Sequence, residues 1–429
     1  MNRSHVLIAA LAFAAPTSAQ SPEPPAAPPG HAPPVEDLVR EAVEHNHGVA
    51  ATRARLQVAR ERAAAAGALP DPMAELMWTE AAMEGFPRIS LGEEPMSMLG
   101  VEVRQGLLYP GKRAAARGVA LAGVDVGERE IEIARREAAR DVRQAYARIY
   151  AADRQLELLG ASRELLDLLV ETTAARYGAN QASQEAVLKA QLARSRLLEQ
   201  IADARAERAV TVALLGRVLD READFDLPPV AALPPVGFPG PGWAARAVEG
   251  SAEIAARRAA LEQARRRVAA ARRDLKPNLF AAASTSVRGA IDPVVTLRFG
   301  VEWPWWRRDK QLPLVRAAEQ ELEMATHDLL MAEAMILERA RAIDARREQA
   351  EQQVALYREG LVPQTEAALG AARSEFLAGL GDFSTVIEDF NLWLEARTQL
   401  ARREADRYGA WADVQALLGT TVAATGGER

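Results

Sequence analysis

The sequence predicts a mixed architecture: long α-helices that form a tunnel, carrying a transmembrane β-barrel, with two internal repeats in the chain. Three observations predict it. The chain opens on a secretory leader and has no later stretch apolar and long enough for a membrane-spanning helix. Two helical patterns are several times longer than the roughly dozen residues typical of globular helices. Each of these patterns follows a short alternating run that ends in proline and a basic cluster. The first run is GVEVRQGLLYPGKR (100–113) and the second is GVEWPWWRRDK (300–310).

The leader is MNRSHVLIAALAFAAPTSAQ. Arg3 supplies the positive charge, residues 6–15 the short apolar core, and Thr17, Ser18 and Ala19 the small-residue cleavage site. Residues 1–19 therefore read as a signal peptide and 20–34, rich in Pro and Ala, as a disordered leader. An exported chain without apolar helices can cross a membrane only as a closed barrel.

The first repeat spans 35–219. Residues 35–66 show a helical pattern, which LPDP (69–72) stops because proline removes a backbone donor and restricts the residue before it. A strand is expected at 73–80, a loop at 81–95, and a second strand at 98–107, where Leu99, Val101 and Val103 alternate with Glu102 and Arg104. The helical pattern from Arg113 to about Ala175 would reach roughly 90 Å. The turn RYGANQAS (176–183) then sends a return helix back to Leu219. A Pro-rich linker covers 220–241.

The second repeat, 242–419, has the same order. Residues 243–274 are helical and LKPN (275–278) stops them. Strands are expected at 279–288 and 294–303, with a tight turn over Gly289–Pro293 between them. A second long helix starts at Lys310, a tip lies at 376–384, and a return helix ends at Leu418-Gly419, matching Leu215-Gly216 of the first half. Residues 420–429 read as a disordered tail. Four strands cannot close a barrel, and an open sheet in lipid leaves unpaired edges. The chain is expected to oligomerise until the barrel closes, and three copies would give twelve strands.

Composition removes several classes of function. There is no cysteine, so no disulfide, thiolate metal site or N-terminal lipid anchor is possible. With 53 basic and 59 acidic residues interspersed, the net charge of −6 lacks the basic stripe of a nucleic-acid binder. No Gly-rich phosphate loop, HExxH or G-x-S-x-G motif occurs. The protein is not expected to be an enzyme or to hold a cofactor. Five of the nine methionines (Met73, Met77, Met83, Met96 and Met98) cluster around the first strands and read as filler. His45 and His47 are two apart and diverge on a helix. His327 stands apart from other histidines and reads as a surface or packing residue.

The two-fold repeat, the YPGKR junction and the tip motifs RYGANQASQEAVLKAQ and EFLAGLGDFSTVIED resemble the TolC family of outer-membrane efflux channels. The resemblance covers nearly the whole mature chain and looks closest to the heavy-metal branch, where strands ending in PGKR or PGKL are common. It implies a homotrimer with a twelve-stranded barrel in outer-membrane lipid and a coiled-coil tunnel in the periplasm. It also implies a periplasmic adaptor protein and an inner-membrane transporter of the RND type, which supply the drive. The function implied is that of a passive exit duct of a tripartite efflux system, carrying small solutes or heavy-metal cations. Drug efflux or polypeptide secretion through a similar duct, and a soluble periplasmic coiled-coil scaffold, are the alternatives.

Tyr109, Trp303, Trp305 and Trp306 are then expected as aromatic anchors at the periplasmic rim of the barrel. Arg307, Arg308, Lys112 and Arg113 follow just below, near lipid head groups. The resemblance implies an adaptor-docking tip at Tyr177, Gly178, Asn180, Phe376, Gly379, Gly381, Asp382 and Phe383. Aligning Val187 with Val386 sets Asn180 opposite Gly379, two residue types that tolerate left-handed backbone. The same alignment sets Lys189 opposite Glu388, and Lys189, Glu388 and Asp389 are the expected aperture residues. The family's Tyr, Arg and first Asp of the gate correspond here to Phe376, Gly381 and Thr385, so that lock is not matched. A ring of Glu388 carboxylates would instead attract cations. No metal site is expected.

Overall fold

The computed structural model describes residues 32–79, 91, 96–222, 224–240 and 242–419. The expected signal peptide, nearly all of the leader and the 81–95 loop, and the 420–429 tail lie outside the described residues.

The first helical pattern is two helices, α1 (Val35–His45) and α2 (His47–Ala65). Asn46 separates them. Its carbonyl side chain caps α2 by accepting the amides of Gly48 at 2.8 Å and Val49 at 3.3 Å. Its Nδ2 donates to the Val218 carbonyl at 2.8 Å. Strands β1 (Met73–Thr79) and β2 (Met98–Leu107) follow. Then comes α3 (Lys112–Gly178), whose 67 residues reach about 100 Å, and the return helix α4 (Gln184–Leu219).

The second half repeats this order and also breaks its first helix. Here α5 (Trp243–Gly250) and α6 (Ala252–Arg273) meet at Ser251, whose Oγ caps α6 by accepting the Ile254 amide at 3.3 Å. The continuous helices expected at 35–66 and 243–274 are thus corrected. A capping Asn or Ser beside a small residue offers the amides of the next helix a local partner. Strands β3 (Asn278–Arg288) and β4 (Ile291–Glu302) begin earlier than expected. Pro293, expected in a turn, lies within β4. The position is tolerated because the β3–β4 register shifts there, between Ser286 and Arg288, and a bulge asks no ladder donor of the proline.

The second long helix is not uniform. Helices α7 (Leu312–Leu356) and α8 (Val362–Leu377) are each preceded by a five-residue π-turn, at Arg307–Gln311 and Tyr357–Leu361. Pro313 and Pro363 sit just after these turns. A proline in a helix lacks its donor and presses on the carbonyl four residues back. The wider turn relieves this by passing the bond to the carbonyl five back, with Leu312 N–H to Arg307 and Val362 N–H to Tyr357. Helix α9 (Phe383–Leu418) returns.

The four strands form one antiparallel sheet in the order β1-β2-β3-β4, so the two halves join at β2–β3. The core is spread along the rods. One apolar cluster joins α1, the middle of α3, the end of α4, the linker residues Leu227 and Val230, and Tyr408 of α9. The linker is pinned there. Asp153 accepts Arg208 Nε at 2.5 Å and the Val230 amide at 2.8 Å. Burial lowers the Arg208 pKa, but its bonds to Asp153 and Asp226 more than offset this and raise it. A second cluster fills the tip-side half of α3, α4, α8 and α9, and a third joins α5, α6, α7 and the end of α9.

Candidate functional site: an apolar sheet face and a helical tip

The sheet has two unlike faces. On one, Leu76 and Trp78 of β1 register against Val101 and Leu99 of β2. Thr285 and Ala283 of β3 continue the row to Val295 and Leu297 of β4, with Phe299 and Val301 beyond. This face is solvent-exposed throughout; Phe299 is 80% exposed. Single exposed apolar residues are ordinary, but a contiguous sheet face of them marks an interaction surface.

The other face carries charge. Glu102, only 3% exposed, pairs with Arg298. Arg104 donates to Glu302 at 2.8 Å and stacks on the Phe280 ring at 4.0 Å. Each half's carboxylate is therefore held by an arginine of the other half. Gly100 and Gly300 make room on this face. A Cβ at Gly300 would run into the Phe280 ring, and one at Gly100 into the Ser286 side chain and the Thr285 carbonyl. An apolar face and a polar face at period two are the pattern of membrane barrel strands. Among the described residues, no helix is long and apolar enough to cross a membrane.

The aromatic residues cluster at the helix end of this sheet. Trp303, Trp305 and Trp306 are all exposed, Trp305 by 84%, and Tyr109 is partly so. The basic residues beside them divide. Arg307 and Arg308 are exposed. Lys112, expected near lipid head groups, is instead buried: its Nζ donates to the Lys276 carbonyl at 2.7 Å and to Asn278 Oδ1 at 2.9 Å. Arg113 Nε donates to the Gly67 carbonyl at 2.7 Å. The PGKR segment thus clamps the chain at the ends of α2 and α6, where free carbonyls need donors. Gly111, at φ 88°, makes the turn into α3.

At the other end of the rods the two tips use one backbone device. Asn180 (φ 59°) and Gly379 (φ 77°) are both left-handed. The Gln181 amide donates to Arg176 O at 2.8 Å, and the Leu380 amide to Glu375 O at 3.0 Å. These are matching Schellman closures. The side chains differ. Phe376 and Phe383 are buried and meet edge to face at 5.7 Å. Arg176 reaches over from the first tip, stacks on Phe376 at 4.3 Å and donates to the Leu377 carbonyl at 3.2 Å. Phe376 and Phe383 therefore brace the tip from inside. Tyr177, Gly379 and Asp382 lie outside with the turns, Tyr177 by 47%.

Two of the three expected aperture residues share a groove, and Asp389 is not among its lining residues. Lys189 of α4 and Glu388 of α9 line one open groove of about 720 Å³. Lys189 Nζ pairs with Glu185 at 2.8 Å and donates to Ser384 Oγ at 3.1 Å. The hydrogen bond and charge of Glu185, with Asp382 further off, raise the Lys189 pKa. Glu388 is exposed and Asp389 half-buried. Sequence reasoning passed over Arg196, Glu395 and Arg402, which line the same groove. They lie about three to five turns from the tip on helix faces whose pairing only the packed rods reveal.

A scan against protein-family models matches none, and no curated protein matches the chain. Solved structures do. The fold is similar to the outer membrane protein VceC from Vibrio cholerae at 17% identity and TM-score 0.74, over 90% of this chain and 96% of that one. It is similar to the Campylobacter jejuni CmeC outer membrane channel at 13% identity and TM-score 0.77, covering 90% and 85%. It is also similar to CusC, described for its folding and transmembrane channel formation, at 15% identity and TM-score 0.76, covering 90% and 91%. The chain shares its fold with these outer-membrane proteins, two of them described as channels, across nine-tenths of its length.

Proposed function

We propose that the protein is the outer-membrane exit channel of a tripartite efflux system. The observation that carries this reading is the sheet: an exposed apolar face, a charged opposite face and, among the described residues, β1 and β4 as its edge strands, attached to rods about 100 Å long. Lipid offers no partner for the edge amides of β1 and β4, so the sheet closes only with further copies. Three copies of this four-stranded sheet give a twelve-stranded barrel, with the two halves of each chain as duplicate units. The aromatic cluster at Tyr109, Trp303, Trp305 and Trp306 marks the lower membrane interface. The charged face lines the lumen, and the rods form a periplasmic tunnel.

The tip is the adaptor surface in this reading, with Tyr177, Gly178, Asn180, Gly379, Gly381 and Asp382 presented by the paired turns. Phe376 and Phe383 hold those turns in shape. Lys189, Glu388 and Asp389 set the aperture. The channel is passive, an inner-membrane transporter of RND type supplies the energy, and the cargo is small solutes, heavy-metal cations being the narrower choice. The first test takes the detergent-extracted outer-membrane fraction and measures oligomer mass and single-channel conductance on one sample. A conducting trimer is expected. A monomeric, non-conducting protein in the periplasmic fraction would overturn the barrel and leave a helical scaffold. In a conducting sample, Glu388→Ala is expected to weaken block by divalent cations, and an unchanged block removes the aperture ring.

A further inference from the structure

One cluster is used by neither the sheet nor the tip. On α7, Met324, His327, Met331 and Met335 succeed one another by steps of three, four and four. Such steps keep side chains on one face of a helix. All four are exposed, on the side turned away from the Ala332, Ile336 and Ala340 contacts that seat α7 in the core. These are all the methionines beyond residue 98, and His327 is the sole histidine beyond residue 47. A chain that uses both residue types so sparingly has gathered them on three turns of one helix.

The donor set has a definite chemical preference. Thioethers with an imidazole are soft ligands, suited to Cu(I) and Ag(I) rather than to Zn(II) or Mg(II). Helical side chains lean toward the N-terminus, which carries Met331 over the turn of His327, with Cβ atoms about 6 Å apart. Met335 leans onto Met331 in the same way, and Met324 lies one turn before His327. Asp328 and Glu338 fall on the same face by the same steps and raise the local concentration of cations. A stripe meant only to pack against a second copy would be served by leucine, and gains nothing from a histidine and two carboxylates among its methionines.

We propose that this face of α7 binds one soft monovalent cation, Cu(I) or Ag(I), between the imidazole of His327 and the thioether of Met331. Met324 or Met335 supplies a third ligand. The site rests on donor chemistry alone and stands whether or not the chain forms a channel. The test is native mass spectrometry of the full-length protein in detergent, titrated with silver nitrate in chloride-free buffer. One retained silver per chain is expected, lost in Met331→Leu with His327→Ala. It is expected to persist in Met73→Leu with Met77→Leu and Met98→Leu, which removes the competing methionines of the sheet. The stripe residues are exposed and Leu keeps the volume of Met, so circular dichroism should show unchanged helix in the α7 variants. A wild-type chain that retains no silver overturns the proposal. So does silver that survives the α7 variants and follows the sheet methionines instead.

Discussion

The two halves of the chain build the same elements in the same order with different means, and the contrast separates what the architecture requires from what each half adds. Both tips close on a left-handed residue, but it is Asn180 in the first and Gly379 in the second. Both carry an aromatic residue before the turn. Tyr177 faces solvent, whereas Phe376 is 3% exposed and packs on Phe383. One long helix is unbroken over α3, while its counterpart opens on one π-turn and is interrupted by a second, each just before a proline. The backbone path is shared. At the tips the aromatic packing lies in the second half, with Arg176 of the first half reaching across to it.

The sharpest way to break this comparison is at the paired aromatics. Phe376→Ala is expected to cost about 3–5 kcal/mol, the usual loss for a buried Phe, and to release amide-exchange protection in α8 and the start of α9. Tyr177→Ala should leave that protection nearly unchanged. Equal effects at the two positions would erase the asymmetry.

The paired strand glycines give the next largest effect. Gly300→Ala should destabilise by about 1–3 kcal/mol through overpacking, and Phe280→Ala in the same chain should restore much of it. Gly100→Ala should not be rescued by Ser286→Ala, because the added Cβ also lies 2.8 Å from the Thr285 backbone carbonyl. Thermal melting in detergent reads all four.

At the turns, Gly379→Ala should cost about 1–2 kcal/mol, the strain of a side chain in left-handed backbone. Asn180→Gly should be neutral or slightly stabilising.

The smallest expected effect lies at Asp413, in the groove between α3, α7 and α9. Burial raises its pKa, opposed by Arg140, Arg339 and Arg346, and Gln144 donates to it at 2.8 Å. A carboxyl whose folded pKa is raised adds stability below its unfolded pKa, and that contribution is lost as pH rises through the folded value. Asp413→Asn should therefore raise the melting temperature slightly at neutral pH, and the gain should shrink as pH falls toward the carboxylate range.

Much of this was legible in the sequence because it is local. Period-two alternation marks β2 and β4, the Pro-bearing LPDP and LKPN segments mark where α2 and α6 stop, and Asn180 and Gly379 mark their own turns. Those signals act over a few residues, where sterics and hydrogen bonding within one segment decide the conformation. The caps at Asn46 and Ser251 were equally local, but the helical pattern around them hid them. Other features needed the packed chain. Lys112 became a buried clamp rather than a surface charge because the ends of α2 and α6 leave free carbonyls beside the strand junction. Phe376 became an internal brace because Arg176, two hundred positions away, folds over it. The strand order that pairs β2 with β3, and so sets Arg104 to Glu302 and Arg298 to Glu102, is likewise a property of the sheet. The sequence by itself determined the elements and their faces, since propensity and periodicity act within a segment. Only the tertiary structure decided which faces meet, since that depends on carbonyls, rings and charges contributed from opposite halves of the chain.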